Sequence, residues 1–71
     1  MKFGVVVERD EDGYYVASVP ELPGCHTQAK SLDQVMKRIK EAIQAYLEAE
    51  GKGSRVHTEL IGVQFVEVQA E

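Results

Sequence analysis

Residues 12–25 read Asp12-Gly13-Tyr14-Tyr15-Val16-Ala17-Ser18-Val19-Pro20-Glu21-Leu22-Pro23-Gly24-Cys25, and this stretch decides the fold. Asp12-Gly13 is a turn signal, because glycine accepts the positive φ that a tight hairpin needs. Tyr14 to Val19 then alternates. Tyr15, Ala17 and Val19 fall on one face and Tyr14, Val16 and Ser18 on the other, which predicts a strand. Pro20 ends it, since proline offers no N–H to a ladder and holds Val19 extended. Pro20 to Gly24 is a stiff connection with a glycine exit, and Cys25 to Gln28 is read as a short third strand.

Upstream, Lys2 to Arg9 is read as the first strand. Phe3, Val5 and Val7 share one face; Lys2, Gly4, Val6 and Glu8 share the other. With Tyr14–Val19 it should form a hairpin. Downstream, Ser31 with Gln34 has the spacing of a capping box, and Asp33 suits the positive end of a helix dipole. Leu32, Val35, Met36, Ile39, Ala42, Ile43, Tyr46 and Leu47 recur at spacings of three and four, the apolar face of an amphipathic helix. Gly51 is a natural C-cap position, Lys52 to Thr58 reads as a loop, and Leu60 to Val68 as a last strand. In that strand Ile61, Val63 and Phe65 share one parity while Val66 and Val68 take the other. Such a shift implies a bulge or a strand end packed against something else.

The expected architecture is therefore α+β, in the order β-β-β-α-β: a small antiparallel-rich sheet with one helix on one face, forming a single domain over residues 1–71. The Phe3, Val5, Val7 side is expected to meet the helix. One helix cannot cover two sheet faces, so Val6, Tyr14 and Val16 become the candidate partner or oligomer interface. A homo-oligomer is expected, most simply a dimer of two copies.

The chain has 71 residues, 44% apolar and 28% charged, with 12 acids, 8 bases and a net charge of −4. That is a globular composition with a small core. Met1–Pro23 and Glu59–Glu71 are acidic and the middle is mildly basic, which argues against non-specific nucleic-acid binding. One cysteine excludes an internal disulfide and suits a reducing, cytoplasmic setting. Val5-Val6-Val7 is the longest aliphatic run, too short to span a membrane, and no secretory leader is expected.

No catalytic, metal or cofactor-binding residue is assigned. Glu8, Asp10, Glu11 and Asp12 form a carboxylate cluster that could in principle hold a divalent cation, but Tyr14 and the apolar residues after it break an EF-hand pattern. Cys25 and His26 are adjacent in an extended run, so they point to opposite faces and make a poor nucleophilic pair; Cys25 reads as a small buried apolar residue. His57 is isolated. Gly51-Lys52-Gly53-Ser54 follows a helix instead of leading into one, so it is no phosphate loop. Lys37, Arg38 and Lys40 lack the interleaved aromatics of a base-stacking surface.

Two motifs carry a family resemblance. Asp12-Gly13-Tyr14-Tyr15-Val16 through Val19-Pro20-Glu21-Leu22-Pro23-Gly24-Cys25 is the more specific; Ser31-Leu32-Asp33 with Lys40-Glu41-Ala42-Ile43 and Leu47 is the other. Together they resemble the N-terminal domain of the HicB antitoxins. The resemblance covers about Lys2 to Leu47 and implies a partial ribonuclease-H-like fold. Gly13, Pro20, Leu22, Pro23, Gly24 and Cys25 would serve structure. It also implies a non-catalytic protein-binding role against a HicA-like toxin, a small basic RNA-cleaving protein of double-stranded-RNA-binding-like fold. Many relatives carry a C-terminal DNA-binding domain, but the stretch after Gly51 shows no further amphipathic helix, so direct DNA binding is not expected. The alternatives are an orphan domain without a toxin and, from a different class, a minimal metal-dependent nuclease using Glu8 to Asp12. A ribonuclease-H site needs carboxylates in the first strand, and Gly4-Val5-Val6-Val7 supplies none.

Overall fold

The computed structural model describes residues 1–50 and 58–70. Three strands precede one helix: β1 (Val6–Arg9), β2 (Tyr15–Ser18), β3 (His26–Ala29) and α1 (Leu32–Glu50). The sheet is antiparallel in the order β1-β2-β3. The ladders are shorter than the periodic runs in the sequence, and β3 begins one residue after Cys25.

The first connection is built around Asp10. The Gly13 N–H donates to the Asp10 carbonyl at 3.1 Å, and Gly13 takes φ +85°. A turn followed by a left-handed glycine is the three-residue hairpin with a bulge. One Asp10 carboxylate oxygen accepts from the backbone N–H groups of Asp12 (3.0 Å) and Tyr14 (2.9 Å).

The second connection is a pair of consecutive turns. Leu22 N–H donates to the Val19 carbonyl at 3.0 Å, and Cys25 N–H to the Leu22 carbonyl at 2.9 Å. Proline stands second in both, at Pro20 and Pro23, and Gly24 has φ +84°. Leu22-Pro23-Gly24-Cys25 thus meets the residue demands of a type II turn. A bond from Val19 N–H to the Cys25 carbonyl, 3.0 Å, closes the loop. Leu22 is driven into the core, and Glu21 accepts the Gly4 N–H at 3.0 Å, which ties the N-terminal stretch to the turn.

Ser31 caps the helix, its Oγ accepting the Gln34 N–H at 3.2 Å. The core consists of Ala17, Val19, Leu22, Cys25, Ala29, Val35 and Ile39, with Phe3, Val5, Tyr15, Ala42, Ile43, Tyr46 and Leu47 packed around it. The helix lies over β2 and β3 but does not pack on β1. That explains two departures from the sequence pattern. Val7 pairs with Ala17 and so lies on the helix side as expected, yet it remains 38% exposed. Leu32 and Met36 belong to the apolar stripe but sit at its margin, 50% and 43% exposed. Arg38 fastens the helix to the outer strand by donating to the Gln28 carbonyl at 2.9 Å.

The larger difference lies after the helix. Residues 58–70 join no ladder, so the last strand expected over Leu60–Val68 has no partner among the described residues. The expectations at Gly51, at His57 and over most of the loop from Lys52 lie outside the described residues.

Ile39 is 1% exposed at the middle of the helix–sheet contact. Ile39→Ala should cost about 2–5 kcal/mol, the usual range for such a truncation. In a domain this small that is a large part of the total, so the urea midpoint should fall steeply or the folded baseline vanish.

Candidate protein-interaction surfaces

The sheet register sorts the candidate residues. Val6 pairs with Ser18 and Glu8 with Val16, so these four share the face away from the helix. Tyr14 has the parity of Val16 and joins them, and Val16 pairs onward with Gln28, Ser18 with His26. The structure thus brings Val6, Tyr14 and Val16 onto one surface, each half-buried, with no second layer over them among the described residues. Glu8 stands within this patch. Asp10, Glu11 and Asp12 extend the negative charge around the hairpin, all exposed.

These carboxylates do not converge. Among the described residues no three His, Cys, Asp or Glu side chains gather where they could hold a metal ion. Asp10 instead spends an oxygen on two backbone N–H groups of its own turn. Through Asp10 the cluster stabilises the hairpin turn.

Cys25 and His26 separate as alternation requires. Cys25 is buried and His26 exposed. Burial pushes the Cys25 thiol above its ordinary value by disfavouring the thiolate. Arg38, from the basic turn of the helix, is engaged with Gln28, so it is part of the scaffold. Arg9 lies over the Tyr15 ring, 5.6 Å from its centroid, on the helix side of the first two strands.

A second surface was not legible as a site in the sequence. An apolar groove of about 390 Å³ runs between the N-terminal stretch and the helix. Phe3 and Val5 form one wall, Met36, Ile43 and Leu47 the other, and Lys40 marks its rim. Phe3 and Val5 were read as helix-facing; the helix leaves them partly open because it is centred on β2 and β3. The partial exposure of Met36 is the signal of this groove.

A family model described as the HicB_like antitoxin of bacterial toxin–antitoxin systems matches residues 3–66. A UPF0150 protein of Archaeoglobus fulgidus is 64% identical over 69 residues, 97% of either chain. A UPF0150 protein of Thermoplasma acidophilum is 55% identical over 49 residues, covering 69% of this chain and 71% of its own. One from Synechocystis is 42% identical over 67 residues, 94% of each.

The buried thiol supplies a test of the core. Cys25 should react with a disulfide reagent far more slowly in the native protein than in denaturant, because attack requires an accessible thiolate. The raised native pKa means that the unfolded chain loses the proton first, so stability is intact below the ordinary thiol range and declines as pH rises through it. Denaturation midpoints across the alkaline range, compared with those of Cys25→Ala, measure that decline.

Proposed function

The chain belongs to the HicB-like antitoxin family, and on that premise we propose that it is a non-catalytic protein-binding module that holds and blocks a small basic HicA-like RNA-cleaving toxin. The observation that carries this reading is the sheet face away from the helix. Val6, Tyr14 and Val16 give an apolar centre, Glu8 stands among them and the acidic hairpin borders them. Apolar anchors supply contact area, and surrounding carboxylates steer and orient a basic partner. A surface that binds RNA phosphates is basic, so carboxylates presented in their place compete for the same side chains.

On this reading residues 1–71 act as one HicB-like domain in the cytoplasm, as a homo-oligomer, without direct contact to DNA. No described helix is long and apolar enough to cross a membrane.

Affinity capture from the native cell tests the proposal. The protein should recover a small basic protein with RNA-cleaving activity and suppress that activity on mixing. Recovery of no such partner would remove the inhibitor role. Val16→Asp should weaken capture at least tenfold while the far-ultraviolet circular dichroism stays unchanged, since a charge would enter a desolvated contact unpaired. Glu8→Lys should act chiefly on the association rate and on its salt dependence.

A further inference from the structure

We infer that residues 58–70 form a strand donated to a second copy of the chain, which receives it on the open edge of β1 and in the groove beside α1. The segment is apolar, yet it lies outside the body of the molecule. Ile61, Val63, Phe65, Val66 and Val68 are all exposed, Phe65 to 97%. The apolar side chains occupy both parities of an extended chain, so a strand built from them has two faces to bury. Against the described residues it buries neither, Leu60 aside.

The acceptor is present on the same molecule. Among the described residues β1 is paired on one side only, so its outer edge can take a strand. A strand added there lays one parity against the groove lined by Phe3, Val5, Met36 and Leu47. Its charge also fits. The segment carries Glu59 and Glu67 and no cation, while Lys40 rims the groove and Lys2 lies near the start of the acceptor stretch.

Donor and acceptor share a root, which favours a second copy over an unrelated partner. Leu60 is the one half-buried residue of the segment and rests on Gly4. A Cβ at Gly4 would lie 3.0 Å from that of Leu60 and press on its side chain, so glycine lets the two approach without displacing Leu60. The donated strand therefore departs from the place where its own acceptor edge begins. A twofold pair can use this arrangement, because each copy then gives its strand and receives its partner's at one shared interface.

The exposed area is what such a pair would bury. The chain presents 6144 Å² of accessible surface, whereas a compact monomer of its mass presents about 4,400 Å². The excess from two chains, roughly 3,500 Å², falls within the range of permanent homodimers. The radius of gyration, 14.1 Å, likewise exceeds the roughly 11 Å of a compact chain of this length.

Sedimentation velocity of the full chain alone, at tens of micromolar, tests the inference independently of any toxin. The wild type should sediment with the mass of two chains. Val63→Asp with Phe65→Asp should sediment as one chain with an unchanged helical signal, because neither side chain touches the intrachain core. Met36→Asp, a groove residue, should weaken the pair from the acceptor side. Amide exchange over Ile61–Val68 should be slow in the pair and fast in the tail variant. A single-chain wild type, or a pair that survives the tail substitutions, would overturn the inference. So would slow exchange of Ile61–Val68 in a single-chain species, which would mean that the strand closes on its own edge.

Discussion

The fold depends on the closure of the Val19–Cys25 loop. Two turns, each with proline second, fold seven residues back on themselves, and the Val19 N–H seals the loop on the Cys25 carbonyl. Three things follow from that ring. Leu22 becomes a core residue although it lies in a connection, β3 is set antiparallel to β2, and Glu21 reaches the Gly4 amide to fix the start of the chain. Loop backbone is normally kept at the surface by its polar groups. Here those groups satisfy one another, which allows the loop's leucine to add apolar area to a core too small to do without it.

A sheet of three short strands under one long helix leaves most of its surface unfinished. The helix covers β2 and β3, so the helix side of β1 is partly open and the opposite face is bare throughout. A domain of this size cannot spare apolar surface for no purpose, since its stability is a small remainder of opposed terms. The family relationship gives one of these surfaces a reason to exist, because an antitoxin acts by presenting contact area to another protein and requires no reactive group.

Local signals made much of this readable from the chain alone. The alternation of Tyr14–Val19, the prolines and glycine of the second connection, and Ser31 with Gln34 each act over a few residues, and each stands where the sequence implies. The antitoxin family was likewise legible, because its marks are those same turn residues. Legibility ended where distance mattered. Val7 has the right parity but lies beyond the helix, and no pattern within β1 records where α1 will cross the sheet. Leu60–Val68 has every local mark of a strand, yet a strand is defined by a neighbour, and among the described residues it has none. The groove arises from the same offset of helix and sheet and has no motif at all.

The bond from Arg38 to the Gln28 carbonyl bears on how the sheet can grow. Exposed strand edges are templates, and a protein with two open edges can add copies without end. On the β3 side a guanidinium from the helix already holds a backbone acceptor that an incoming strand would need, while the β1 side is unguarded. Arg38 thus makes the β3 edge a poorer template than the β1 edge, through a single side chain on the far side of the sheet.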